Sequence, residues 1–96
     1  MSKAATLTDE RIVSAIRDTL FDLLGESAAR ALEFFVDPRL AIKEPDRYER
    51  AMKEMFHGHA KIIIERIERN LCALVGIQLR SWSSFHECLK VVKNGS

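Results

Sequence analysis

Residues 23–32 read Leu-Leu-Gly-Glu-Ser-Ala-Ala-Arg-Ala-Leu and place one glycine between two segments with helical spacing. Before Gly25, apolar residues recur every three or four positions from about residue 7 to 24, with Thr6 and Thr8 as candidate N-caps. Glycine adopts a left-handed backbone conformation at little cost, so we expect Gly25 to end the first helix in that conformation. The stretch therefore predicts two helices joined by a tight turn.

The second predicted helix covers about Ser27 to Val36. Four of its residues recur at i, i+3, i+4 and i+7, which predicts the face that packs against the core. These residues are Ala28, Ala31, Leu32 and Phe35. Because alanine side chains are small, this face would let a neighbouring helix approach closely.

The segment from Asp37 to Pro45 contains two prolines and no periodicity, which predicts a surface loop with Leu40 and Ile42 against the core. Three further helices are predicted: one begins at Pro45, one covers about residues 59–75 before Gly76, and one is capped by Ser84. Their expected core residues are Tyr48, Met52, Met55 and Phe56; Ile63, Ile64, Ile67, Leu71, Leu74 and Val75; and Phe85, Cys88, Leu89 and Val92. The polar side of the long helix is expected to carry Glu65, Arg66, Glu68, Arg69 and Asn70, with Ile62 nearby. The sequence thus predicts an all-α fold, a compact bundle of four to five helices in one domain over residues 1–96.

Composition narrows the classes of function. The 96 residues include 15 Lys and Arg against 14 Asp and Glu, a net charge of +1, so no overall field attracts nucleic acid or anionic lipid. The start Met-Ser-Lys-Ala-Ala-Thr lacks the apolar segment of a secretion signal. Cys72 and Cys88 are then expected to be buried thiols and not a disulfide. We expect a cytoplasmic protein without a membrane partner.

Two motifs carry a family resemblance: Leu-Gly-Glu-Ser-Ala-Ala-Arg-Ala-Leu at residues 24–32, and the segment from Tyr48 to Ala60 before an isoleucine-rich helix. With them the chain resembles the archaeal Nitrosopumilus output domain family, the fifth set of that name, over about residues 12–77. Residues 78–96 form an extension outside it. The resemblance implies a small helical unit with a role in signal output. Where the family has Phe-Gly-x-Gly-Ala, this chain has Phe-His-Gly-His-Ala at residues 56–60, with histidine in place of both glycines.

His57 and His59 raise the hypothesis of a metal site completed by His86, Cys72 or Cys88. Residues i and i+2 of a helix point to nearly opposite sides, and no zinc-binding spacing accompanies these histidines. No nucleophile motif or glycine-rich phosphate loop occurs either. We therefore predict no catalytic residue, no metal and no cofactor, so that the protein is not an enzyme.

Three functions remain open. A strip of Arg66, Arg69, Arg80, Lys90 and Lys93 would suit a nucleic-acid-binding transcriptional regulator, although glutamates interleave with its arginines. A pocket around three residues of the third and fourth helices would suit a small-molecule sensor. These residues are Tyr48, Phe56 and His59.

The third function is a protein-interaction or signal-output module, which the surplus of apolar residues favours. A chain of this length is expected to leave part of that surplus exposed, and a homodimer is the commonest way to cover it. The surplus consists of Phe34, Val36, Met55, Ile62, Trp82 and Phe85. The residues predicted to contact a ligand or partner are Tyr48, Phe56, His57, His59 and Trp82.

Overall fold

The computed structural model describes residues 6–78, 82 and 84–94, and within these ranges it contains helices and no strand. The helices are α1 (Asp9–Leu24), α2 (Glu26–Phe35), α3 (Leu40–Lys43), α4 (Pro45–Phe56), α5 (Ala60–Val75) and α6 (Phe85–Asn94), with a 3-10 turn at His57–His59 between α4 and α5. The predicted all-α bundle is confirmed.

Local chemistry explains both ends of α1. The Thr8 hydroxyl oxygen accepts a hydrogen bond from the Arg11 backbone N–H at 3.2 Å, as expected for an N-cap. At the other end, the Gly25 N–H donates to the carbonyl of Phe21 at 2.9 Å. Gly25 has the predicted positive φ, +85°, but its ψ of 160° lies outside the left-handed helical region. The prediction of a left-handed helical conformation at Gly25 is therefore wrong in ψ. Backbone with positive φ and extended ψ is adopted almost only by glycine, which explains the residue type at this turn.

The predicted core face of α2 is wrong in three of its four residues. Leu32 is buried, but Ala28, Ala31 and Phe35 are exposed. The helix instead buries Ala29 and Leu32, and Val36 just after it, against α1. Apolar residues of α2 lie on most sides of the helix, so periodicity alone was consistent with two packing faces. The direction in which the chain leaves Gly25 decides which of the two faces packs against α1.

The predicted loop contains the one-turn helix α3. An Asp37 carboxylate oxygen accepts a hydrogen bond from the Arg39 N–H at 2.9 Å, which starts the turn after Pro38. Leu40 and Ile42 pack against the core as predicted, while Ala41 between them is fully buried. Helix α4 then starts with its proline in the first turn, as predicted.

Helices α4 to α6 confirm most of the predicted core and correct three positions. Met55 and Leu74 are exposed and Glu68 is buried, contrary to prediction, while Ile62 lies on the exposed side as expected. Gly76 ends α5 in the left-handed conformation, with φ +74° and ψ 21°. The Ser84 hydroxyl oxygen accepts from the N–H of Glu87 at 3.1 Å, which caps α6.

One hydrophobic cluster joins all the long helices. Helix α6, which lies in the extension, belongs to it, because the predicted inner face of α6 is buried there. A backbone hydrogen bond from Leu7 to Val92, 2.9 Å, ties the two ends of the described chain together. Val36 and Phe85 were predicted as surplus apolar surface, and this prediction is wrong because both are buried in the cluster. Cys72 and Cys88 are buried and are not joined in a disulfide, as predicted.

Candidate functional site

The most exposed apolar side chains of the described residues lie on α2. Phe34 and Phe35 are 89% and 76% exposed, at the end of a helix that packs mainly against α1. Ser27, Ala28 and Ala31 are exposed on the preceding turns. Because residues three, four and seven positions apart share a side of a helix, these five residues form one continuous face, the outer face of α2.

The outer face of α2 is uncharged, although the helix carries three charged residues. Glu26 and Arg30 pair with each other at 2.8 Å. Glu33 pairs with Arg17 of α1 at 3.2 Å. The charges of α2 are therefore compensated within the chain, and its outer face combines three small residues with two large aromatic ones.

The predicted contact residues are spread over the molecule. Tyr48 is fully buried and Phe56 is partly buried against the core, while His57 and His59 are exposed on the 3-10 turn. Four cavities among the described residues have none of these side chains in their walls. Trp82 lies elsewhere, in the wall of a groove between α4 and α5. The structure does not bring Tyr48, Phe56 and His59 together around an open pocket.

Tyr48 instead belongs to the core. Its ring stacks on Phe85 with centroids 5.8 Å apart. Among the described residues its buried hydroxyl has no hydrogen-bond partner. Burial, followed by the nearby charge of Glu33, raises the pKa of the Tyr48 phenol. Tyr48 is therefore a neutral packing residue that joins α4 to α6.

The groove lined by Trp82 contains a buried charge that the sequence did not predict. Glu68 of α5 is 8% exposed in a cavity of about 270 Å³. Burial, the charge of Glu49 and the charge of Glu65, in that order, raise the pKa of the Glu68 carboxyl to about 7. The periodicity of α5 placed Glu68 on a solvated face, and its position in a cavity with Trp82 and Phe85 could not be anticipated from that periodicity.

Among the described residues, neither the candidate metal ligands nor the candidate basic strip forms a single site. Among the described residues no three His, Cys, Asp or Glu side chains lie close enough to hold a metal ion. Lys90 and Lys93 line a cavity of about 300 Å³ with Lys43, and neither Arg66 nor Arg69 reaches it. Arg80, the remaining member of the strip, lies outside the described residues.

Comparisons with protein-family models, curated sequences and solved structures give no match to this chain. The resemblance to the output domain family stays a prediction. Among the described residues, no helix has the length and apolarity needed to cross a membrane.

Proposed function

We propose that the protein is a helical protein-interaction module that acts by binding, without catalysis of its own, and that it forms a homodimer through the outer face of α2. The observation that carries the proposal is the exposure of Phe34 and Phe35 beside Ala28 and Ala31 on an uncharged helix face. Small residues allow two helices to approach closely, and aromatic residues at the end of such a face supply apolar area.

The energetics favour a second copy of the chain as partner. Each phenylalanine can bury about 150 Å², so four of them at a symmetric interface contribute on the order of 15 kcal/mol before association costs. Those costs are about 4–15 kcal/mol, and a net of about 8 kcal/mol corresponds to a micromolar Kd. A net charge of +1 does little to keep two copies apart.

The cysteines and the family resemblance support proposals on where the protein acts and in what role. Cys72 and Cys88 are buried and form no disulfide, which suits the reducing cytoplasm that we propose as the location of the protein. A role in signal output is what the family resemblance implies, and a dimer would present two copies of each remaining surface to a regulatory partner.

Light scattering after gel filtration tests the proposal. We expect wild type at micromolar concentration to have about twice the chain mass of 11.0 kDa. The double variant Phe34→Ser/Phe35→Ser should be monomeric and keep its helical circular dichroism, since both side chains are exposed. Ile62→Ser is the matched control because Ile62 is 62% exposed but lies on α5. A monomeric wild type, or a dimer that survives the double substitution, would refute the proposal.

A further inference from the structure

The groove between α4 and α5 has the composition of a small ligand site. Apolar walls come from Ile64 of α5, Phe85 of α6 and Trp82 before α6, and the buried carboxylate of Glu68 lies in the same cavity. A volume of about 270 Å³ is near the lower end for small-molecule pockets, so the ligand would be small. Apolar walls around one polar group are typical of sites that orient a ligand through a single strong contact.

Glu68 lacks the partner that a buried carboxylate normally has. In the described part of the chain, neither a hydrogen-bond donor nor a cationic side chain pairs with it, although only 8% of the residue is exposed. A buried charge is costly unless it is paired. The raised pKa of Glu68 reflects that cost. A cation bound in the groove would offset the cost of ionising the carboxylate.

The other charged groups at the groove do not supply this cation. Glu49 and Lys53 face it from α4, and they pair with each other at 3.7 Å. Lys61 and Glu65 face it from α5 and are exposed to solvent. With Glu68 ionised, these five groups carry three negative charges and two positive ones, so the described lining of the groove is net negative.

The walls and the carboxylates select the class of cation. The carboxylates of the groove are not close enough together to hold a metal ion. Aromatic side chains instead attract organic cations, including quaternary ammonium groups, through their ring faces. A protonated or quaternary amine can contact aromatic walls and a carboxylate at once.

We propose that the groove between α4 and α5 binds a small organic cation, a protonated or quaternary amine, with Glu68 as its counter-ion and Trp82 and Phe85 as its aromatic walls. This site lies apart from the outer face of α2 and does not depend on dimer formation. The proposed site is also distinct from the small-molecule pocket predicted from the sequence around Tyr48, Phe56 and His59.

Trp82 makes the test direct, because it is the single tryptophan of the chain and its fluorescence reports on the groove. The probe is choline, and 3,3-dimethylbutan-1-ol is its neutral control of nearly the same shape. We expect a saturable fluorescence change with choline and none with the alcohol. Apparent affinity should rise roughly ninefold from pH 6 to pH 8, as Glu68 goes from about one tenth to nine tenths ionised.

Substitutions complete the experiment. Glu68→Gln keeps the shape of the protonated side chain and should weaken choline binding at pH 8 by at least roughly tenfold, since it removes the counter-ion. Glu54→Gln is the matched control, because Glu54 is an exposed glutamate of α4 outside the groove. The proposal is overturned if choline gives no saturable change, if the alcohol binds equally well, or if Glu68→Gln binds like wild type. If Glu68→Gln loses its helical circular dichroism, the comparison of choline with the alcohol and the pH series on wild type decide the matter.

Discussion

His57 has a backbone conformation that favours glycine, and replacing it should stabilise the protein. Its φ is +52° and its ψ is −122°, the one positive φ among the described non-glycine residues. A side chain held in such a sparsely populated region costs about 1–3 kcal/mol. Of the two histidines of the turn, only His57 has such a backbone, because His59 has φ −80° and ψ −14°.

The expected gain is the strain relieved minus the cost of ordering glycine. Glycine loses about 0.5–1 kcal/mol more than other residues on folding. His57→Gly should therefore raise the free energy of unfolding by about 1 kcal/mol. The His57 side chain is exposed, so little packing is lost. For a chain of 96 residues, 1 kcal/mol corresponds to a rise in Tm of about 4–8 °C.

Thermal melts followed by circular dichroism measure this effect, and His59→Gly is the matched control. His59 is also exposed, but its helical backbone gains nothing from glycine, so we expect its Tm to fall by about as much as that of His57→Gly rises. The two substitutions, two residues apart, should thus have opposite signs. A His57→Gly variant that melts at or below wild type would show that the turn between α4 and α5 is unstrained.

Three further predictions follow from backbone conformation, burial and ligand geometry. Gly25→Asn should lower the free energy of unfolding by about 1–3 kcal/mol, and Gly76→Asn should lower it by less than about 1 kcal/mol. The reason is that asparagine tolerates the left-handed region of Gly76 but not the conformation of Gly25, and equal losses in Tm would contradict it. The folded pKa of Glu68 lies above its unfolded value of 4.5, so its contribution to stability is lost as the pH rises from about 4.5 to about 7. Over that window Glu68→Gln should gain stability on wild type in denaturant titrations, by at most about 3 kcal/mol because solvent screens part of the effect. A difference that stays constant with pH would show that the pKa is not raised. Circular dichroism before and after addition of a chelator should overlay, whereas a large loss of helicity would restore the metal hypothesis for His57 and His59.

The helix pattern was predictable wherever local signals agreed. Helices α1, α4 and α6 carry an N-cap or an N-terminal proline, and α5 ends at Gly76, so periodicity and end signals gave the same answer. Helix α3 was missed because one helical turn is too short to show a period. At Gly25 the positive φ followed from residue type, but ψ depends on the direction in which α2 leaves α1.

The two candidate surfaces could not be predicted from the sequence as well as the helices could. The outer face of α2 has the spacing of Ala28, Ala31 and Phe35 that predicted a packed face, and the sequence could not tell which of two apolar sides meets α1. Glu68 lies among charged residues of α5, a pattern typical of a solvated face. Its burial results from contacts with residues distant in the chain, which local periodicity does not encode.

The amino-acid sequence by itself determined that this chain is helical and where its main helices begin and end, because these properties depend on hydrogen bonding within a few turns of the chain. The tertiary structure alone decided that Phe34 and Phe35 are exposed and that Glu68 lies in a groove beside Trp82. Those outcomes depend on how helices far apart in sequence pack, and that packing sets which apolar face is covered and which charge is removed from water.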